Sequence, residues 1–254
     1  HRFTNSPENG IELVTLPSEF YIENSQLINN ISSFAGGGLY SEYGHAFISR
    51  SLFEHNQVTS FYPDNTKGGA IYSHRINGFQ TTNSTFVNNS ATYGAAIHSS
   101  MNTLGDDYDS NFKLFNNSFT ENHGSTLGKP SINLLQLIYA DIFSANNIFT
   151  NNDVSRNCYF KASTGQNLKP TSYGGNISDS DDVSCGFDPK IDLIHTDPHL
   201  DLDKGLIDVG GQTKVFALKP TSPAINFANP YYCPLDDQIG TQRFTLKINE
   251  ARLC

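Results

Sequence analysis

Phe86-Val87-Asn88-Asn89 and Phe119-Thr120-Glu121-Asn122 are two copies of the Phe-x-x-Asn motif that decides the fold. Further copies begin at Phe53 and Phe149, and Leu27-Ile28-Asn29-Asn30 repeats the pattern with Leu in place of Phe. The first residues of the five copies are separated by 26, 33, 33 and 30 residues. A recurrence of this length indicates a repeat architecture.

A glycine-rich motif alternates with the first one. It reads Gly37-Gly38-Leu39-Tyr40-Ser41, Gly68-Gly69-Ala70-Ile71-Tyr72-Ser73 and Gly94-Ala95-Ala96-Ile97-His98-Ser99. Each unit is a short apolar stretch bounded by Asn, Gly and Ser, which is typical of short strands with turns. Because one such strand cannot bury its apolar face alone, the units are expected to stack about 4.8 Å apart. The sequence therefore predicts a parallel β-solenoid.

Two positions of the Phe-x-x-Asn motif have structural roles in this prediction. The first residue of each copy forms a column in the core. The final Asn lies at a bend, where it tolerates the left-handed region and its amide bonds to the amide of the next turn. The predicted core repeat comprises Leu27, Phe53, Phe86, Phe119 and Phe149 with Asn30, Asn56, Asn89, Asn122 and Asn152.

The alternating motifs resemble those of the chlamydial polymorphic outer-membrane proteins, whose signature is GGA-[ILV] and FxxN. The resemblance covers about residues 27–152. It implies an all-β, right-handed parallel β-helix on an exported, surface-exposed chain.

The composition changes after Asn176, since 24 of the 27 Asn residues lie in the first 176 positions. The tail resembles the end of the bacterial choice-of-anchor Q proteins over about residues 196–254, which implies the C-terminal coils and cap of an exported β-helix. We therefore expect one domain over 1–254, with regular coils in 1–176 and irregular coils and a cap in 177–254. The segments that carry this resemblance are Thr196-Asp197-Pro198-His199-Leu200, Ala217-Leu218-Lys219-Pro220, Ser222-Pro223-Ala224-Ile225 and Asp236-Asp237-Gln238-Ile239-Gly240.

The four cysteines are Cys158, Cys185, Cys233 and Cys254, and no C-x-x-C spacing occurs. Their even number is compatible with two disulfides and an oxidising compartment, the alternative being four free thiols. A Cys commonly stands at the places of Cys233 and Cys254 in choice-of-anchor Q proteins, so the resemblance implies that these two form a bridge. We expect Cys158 and Cys185 to staple the neighbouring coil in the same way, since other pairings cross longer stretches of stacked coils.

Composition and charge exclude several classes of protein. A net charge of −9 argues against general binding to nucleic acid. No apolar run approaches the roughly 20 residues of a membrane span. The chain starts at His1 and its only Met is Met101, from which we expect a processed product or an excised fragment.

Chemistry at the acidic clusters is the main alternative to a scaffold role, because right-handed β-helices include many polysaccharide lyases and hydrolases. Glycoside hydrolysis needs two carboxylates about 5–9.5 Å apart. Lyases need a Lys or Arg base, and although Lys113 and Lys161 follow acidic or Asn-rich segments, nothing pairs them in sequence. Turn aspartates that cap their own backbone are the simpler interpretation, although the first cluster offers several oxygens to a calcium ion. We therefore predict no catalytic, cofactor-binding or metal-ligating residues. The clusters are Asp106, Asp107 and Asp109; Asp179, Asp181 and Asp182; Asp201 and Asp203; Asp236 and Asp237.

Ring-bearing residues follow the same apolar position in three successive glycine-rich motifs, at Tyr40, Tyr72 and His98. They form either an exposed stripe suited to sugar stacking or a column in the core, since one step of register reverses the face. The sequence leaves both interpretations open.

The sequence as a whole favours a non-enzymatic extracellular or cell-surface β-helix protein. Such a protein is adhesin-like or structural, including one that assembles with copies of itself into filaments, because repeated coils offer a long lateral surface. The expected partners are a host surface, carbohydrate or further copies of the chain. The alternative is a polysaccharide lyase or glycoside hydrolase that acts on an extracellular polysaccharide.

Overall fold

The computed structural model describes residues 3–5, 11–14, 19–60, 65–101, 111–124, 131, 133–138, 141–161, 170–180 and 184–243. Over these ranges the chain winds into a stack of turns whose strands form three sheets, here called A, B and C. Each complete turn passes through sheets A, B and C in that order, and equivalent strands of successive turns pair in parallel. The predicted all-β parallel β-helix is confirmed.

The strands are numbered along the chain. Sheet A contains β1 (Phe3–Asn5), β2 (Ile11–Val14), β6 (Leu39–Glu42), β10 (Ile71–Ile76), β13 (Tyr93–Met101), β16 (Asn133–Ile138) and β19 (Cys158–Lys161), and only β1 with β2 is antiparallel. Sheet B contains β3 (Glu19–Glu23), β7 (His45–Ser49), β11 (Gly78–Thr82), β14 (Asn111–Phe115), β17 (Asp141–Ala145) and β20 (Thr171–Ser172). Sheet C contains β4 (Gln26–Ile28), β8 (Leu52–Glu54), β12 (Thr85–Val87), β15 (Ser118–Thr120), β18 (Ile148–Thr150) and β21 (Ile177–Ser178), and β5 (Ile31–Ser32) pairs with β9 (Gln57–Val58).

The core is organised as columns of identical side chains. Phe53, Phe86, Phe119 and Phe149 stack with ring centroids 4.9, 4.9 and 5.1 Å apart, and all four are at most 1% exposed. Leu27 lies below them in the same register, at the first turn. The predicted core repeat is therefore present as a continuous column.

The final Asn of each motif forms a ladder at the bend after sheet C. The Oδ1 atom of Asn89 accepts hydrogen bonds from the backbone N–H and the Nδ2 of Asn56, both at 3.0 Å. The Nδ2 of Asn89 in turn donates to Asn122 Oδ1 and to the carbonyl of Phe53. The same pattern joins Asn30 to Asn56 and Asn122 to Asn152. Each buried amide thus satisfies backbone groups that the bend leaves without strand partners.

A second ladder, which the sequence analysis did not predict, lies at the bend between sheets B and C. Asn117 Oδ1 accepts from the backbone N–H of Ser84 at 3.1 Å, and Asn147 Oδ1 accepts from that of Asn117 at 3.1 Å. Asn176 continues the ladder, and Asp192 ends it with a carboxylate that accepts from the N–H and Nδ2 of Asn176. Acceptor oxygens alone suffice at the last rung, which explains why an Asp can stand there.

The residues 196–243, here called the strap, do not extend the stack. They contain a 3-10 helix at Pro230–Tyr232 and isolated antiparallel bridges instead of strands. The strap runs back along the bend between sheets B and C. Asn229 contacts Asn146 of the fifth turn, and Asp236 contacts Asn83 two turns lower. The strap thus covers the side of the coils. The expected division into regular coils in 1–176 and irregular coils with a cap in 177–254 stays a prediction.

Cys158 and Cys185 form a disulfide with a Cα–Cα distance of 5.0 Å, as predicted. It ties the last strand of sheet A to the loop that follows sheet C. Cys254 lies outside the described residues, so the Cys233–Cys254 bridge stays a prediction. Among the described residues, no helix is long and apolar enough to cross a membrane.

Candidate functional site

The outer face of sheet B carries a straight row of side chains, one from each turn. Successive side chains of each strand point alternately into the core and outwards. In β7, Ala46 and Ile48 point into the core and Phe47 between them points out. The strand register aligns the outward residues in the order Tyr21, Phe47, Gln80, Lys113 and Phe143. These five residues are called the outer row.

Aromatic rings lie towards both ends of the outer row. Tyr21, which is 59% exposed, stacks on Phe47 with centroids 5.1 Å apart and an interplanar angle of 14°. Phe143 stacks on Tyr173, which stacks in turn on Tyr232 of the strap. Gln80 and Lys113 provide an amide and an ammonium group between the two aromatic ends.

The strap converts one end of the outer row into a groove of about 280 Å³. Tyr21, Phe47 and Gln80 form its floor, and Pro234 and Asp236 of the strap form a wall. We call this feature the sheet B groove.

Charged groups of the groove are paired with one another. Arg50 Nη1 donates to Asp236 Oδ2 at 2.8 Å, and its Nη2 lies 3.9 Å from Glu23 Oε2. Arg50 therefore anchors the strap and fixes two carboxylates that line the groove. At the outer edge the Tyr21 hydroxyl donates to Glu19 Oε2 at 2.6 Å, and this hydrogen bond raises the pKa of Tyr21.

This arrangement suits binding of an extended polar chain with flat apolar faces. The exposed Tyr21–Phe47 pair offers an apolar aromatic surface, the amide of Gln80 donates and accepts hydrogen bonds, and the neighbouring carboxylates accept them. The turns repeat at about 4.8 Å, so the outer row spans roughly 19 Å from Tyr21 to Phe143.

The ring-bearing residues Tyr40, Tyr72 and His98 form a tilted stack with centroids 5.4 and 5.1 Å apart. Tyr72 and His98 are 9% and 3% exposed, so the exposed-stripe interpretation is wrong for these two rings. The core-column interpretation is wrong about the face, because the rings are buried outside the core cluster. They lie on the face of sheet A opposite Ile71 and Ile97, which belong to the core. Burial lowers the pKa of His98 to about 3, with smaller contributions from Lys67 and His74.

The acidic clusters are not assembled into a metal site among the described residues. Asp237 Oδ1 accepts the N–H groups of Ile239 and Thr241, which is the backbone-capping role expected of a turn aspartate. Asp201 pairs with Lys204 at 2.6 Å and Asp203 with Lys219 at 3.4 Å. Asp106, Asp107, Asp109, Asp181 and Asp182 lie outside the described residues, as does the side chain of Lys161.

Sequence reasoning missed the outer row, although a signal for it was present. Its five residues are separated by 26, 33, 33 and 30 residues, which are the intervals of the Phe-x-x-Asn motif six positions downstream. The contact of Asp236 with Arg50 joins residues 186 positions apart. No pattern in the sequence marks it, so the acidic cluster alone did not predict it.

Comparisons of the chain with protein-family models, curated proteins and solved structures give no match.

Proposed function

We propose that this chain is an exported, surface-exposed β-helix module that binds a neutral polysaccharide along sheet B without cleaving it. The proposal rests chiefly on the exposed stack of Tyr21 on Phe47, which continues in the straight outer row. An extended glycan offers a ring at each step along its length and hydroxyls at its edges, which matches a row of rings with amides and carboxylates beside it.

Charge favours a neutral glycan over an acidic one. Glu23 and Asp236 line the groove, Glu19 and Asp141 flank the outer row, and the whole chain has a net charge of −9. A polyanion would be repelled by these carboxylates at moderate ionic strength.

Export to an extracellular or cell-surface location is supported by three features. The glycine-rich and Phe-x-x-Asn repeats resemble those of surface-exposed chlamydial proteins, the tail resembles choice-of-anchor Q proteins, and Cys158–Cys185 is a structural disulfide. Disulfides persist in oxidising compartments. An adhesin-like role follows if the glycan belongs to a host or neighbouring cell.

The edge strand of the first turn does not favour filament formation by pairing of sheet edges between copies of the chain. The edge strand β3 has a glutamate at each end, Glu19 and Glu23, and both side chains are exposed. Charged side chains on an edge strand oppose pairing with another chain.

The binding test compares ring-deleted variants on a glycan array and by titration calorimetry. Tyr21→Ala and Phe47→Ala should each weaken binding about fivefold, since each stacking contact contributes on the order of 1 kcal/mol. Tyr231→Ala is the matched control, because Tyr231 is an exposed ring on the strap outside the groove. Equal binding by all three variants would contradict the proposal.

A glycoside hydrolase is the second candidate, favoured by one observation. Glu23 and Asp236 are two carboxylates that line the same groove as the exposed rings. Incubation with a panel of neutral and acidic polysaccharides distinguishes the two functions. Release of oligosaccharides that is abolished by Glu23→Gln or Asp236→Asn would establish the hydrolase and replace the binding proposal.

A further inference from the structure

Two adjoining cavities lie between the outer face of sheet C and the strap. Their volumes are about 280 and 180 Å³, and Ser118, Ile148, Leu218 and Arg243 line both of them. Ser118 and Ile148 belong to β15 and β18, whereas Leu218 and Arg243 belong to the strap. The two cavities therefore form a continuous space, called here the strap cavity, on a different face from the sheet B groove.

Arg243 is held rigidly where the two cavities meet. Its Nη1 donates to the carbonyl of Asp236 at 2.6 Å, and Nη1 and Nη2 both lie 3.3 Å from Asn83 Oδ1. Both partners are neutral groups. The guanidinium is thus fixed in position without having its charge compensated by them.

The nearest carboxylates are engaged elsewhere. Asp236 bonds to Arg50 at 2.8 Å, and Asp237 accepts two backbone N–H groups. Among the described residues, no carboxylate forms an ion pair with Arg243, and burial lowers its pKa despite the opposing effect of Asp237 and Asp236. Arg243 is partly buried, and a partly desolvated cation without a direct counter-charge is stabilised when an anion joins it.

One side of the larger cavity is apolar, where Leu200, Val215, Phe216 and Leu218 of the strap face Ile148 of sheet C. Polar residues, among them Asp237 and Gln238, line the rest, and Asp237 already accepts two backbone N–H groups. A fixed guanidinium beside an apolar wall suits a small molecule that has an anionic head and an apolar body. We propose that the strap cavity binds a small organic carboxylate, with its carboxylate on Arg243 and its hydrocarbon part against the apolar wall.

The test uses calorimetric titration of the full chain with hexanoate and with its neutral counterpart hexanamide. Hexanoate is expected to bind one molecule per chain, at least tenfold more tightly than hexanamide. Arg243→Gln should reduce hexanoate binding at least tenfold and leave the two probes equal. Lys219→Gln, which removes an exposed cation of the strap outside the cavity, should bind hexanoate like the parent.

A second variant separates loss of the site from loosening of the strap. Ser118→Leu fills the cavity floor and leaves Arg243, Asn83 and Asp236 untouched, so it should abolish hexanoate binding while the melting temperature stays at or above that of the parent. No heat at millimolar hexanoate, equal affinity for the two probes, or unchanged binding by Ser118→Leu would each overturn the proposal. The proposal of glycan binding at sheet B does not rest on any of these outcomes.

Discussion

Each bend that follows sheet B or sheet C is made by two adjacent residues with different roles. At Asn146-Asn147, Asn146 has a positive φ of 58° and turns its amide outwards to the strap, whereas Asn147 turns inwards to the ladder. Asn116-Asn117 and Asn88-Asn89 follow the same pattern. The left-handed conformation is accessible to Asn at little cost, which explains why doublets of this residue recur.

Removal of one ladder amide tests the inward role. Asn89→Ala should lower the free energy of unfolding by about 3 kcal/mol, because the buried N–H of Asn56 and the carbonyl of Phe53 lose their partner. Asn88→Gly is the control, since it keeps the positive φ and removes only a partly buried side chain, and should change stability by about 0.5 kcal/mol or less. Denaturant unfolding measures both values, and equal effects would mean that the ladder is not a source of stability.

The buried His98 predicts a loss of stability in acid. Its pKa of about 3 in the folded protein lies below the ordinary 6.5, so between these values the unfolded chain binds a proton that the folded chain does not. Stability should therefore be complete above about pH 6.5 and fall as the pH decreases towards 3, by an amount on the order of 4 kcal/mol. His98→Phe, which keeps a ring in the stack, should flatten this part of the pH profile. His55→Asn at an exposed position should leave it unchanged.

At the scale of elements, the columns of identical side chains hold successive strands in register. A slip of one residue between β12 and β15 would move Phe119 off Phe86 and expose it on the other face. The Asn ladders at the bends add a second constraint on the same register, because the side-chain amide of each rung bonds to the equivalent amide in the next turn.

Truncation of a central ring should be far more costly than truncation of an outer one. Phe86→Ala removes a fully buried ring that stacks on both neighbours and should cost about 3–5 kcal/mol. Phe47→Ala, in the partly exposed outer row, should cost about 1 kcal/mol or less. Thermal and denaturant unfolding of the two variants gives the comparison, and similar losses would argue against the aromatic column as the main stabilising element.

The Cys158–Cys185 disulfide limits how the last turns open. Replacement of both Cys158 and Cys185 by Ala should destabilise the protein by roughly 3–4 kcal/mol in the chain-entropy model, since the bridge closes a span of 27 residues. Peptide mapping without reduction should recover a peptide that joins these two cysteines and a second one that joins Cys233 to Cys254. Mixed pairings would contradict the second assignment.

At the scale of the whole molecule, the strap joins distant parts of the chain along one side of the stack. Its backbone accepts hydrogen bonds from Asn116 and Asn146, and its Asp236 side chain binds Arg50. The strap shapes both the sheet B groove and the strap cavity, so ligand binding at either place depends on its docking.

Release of the strap should be separable from unfolding of the coils. Asn116→Gly with Asn146→Gly keeps the positive φ at both bends and removes the side chains that hold the strap. We expect faster proteolysis within residues 196–243 and faster amide exchange there, while the strands of sheet A keep their protection. Asn88→Gly with Asn151→Gly, at the bend away from the strap, is the matched control and should show neither change.

The fold could be predicted to a large extent because its information is local and repeated. Phe86 contacts Phe residues, and Asn89 contacts Asn residues, in the neighbouring turns. The motif and its spacing therefore identify these contacts directly. The outer row could have been found in the same way, since Tyr21, Phe47 and Gln80 keep the intervals of the motif. The burial of Tyr72 and His98 could not be predicted, because the alternation of side chains along a strand shows which residues share a face but not whether other residues cover that face.

The sequence by itself determined the parallel β-helix, the aromatic column, the first Asn ladder and the Cys158–Cys185 bridge. Only the tertiary structure decided the course of the strap, the contact of Arg50 with Asp236, and the position of Arg243 against the neutral oxygens of Asp236 and Asn83. The physical reason is the distance over which each contact acts along the chain. In the stacked repeats the same contact recurs every 26 to 33 residues, so the period of the sequence reveals it. The strap binds through contacts that occur once, such as that of Arg50 with Asp236 across 186 residues, and no periodicity in the sequence marks them.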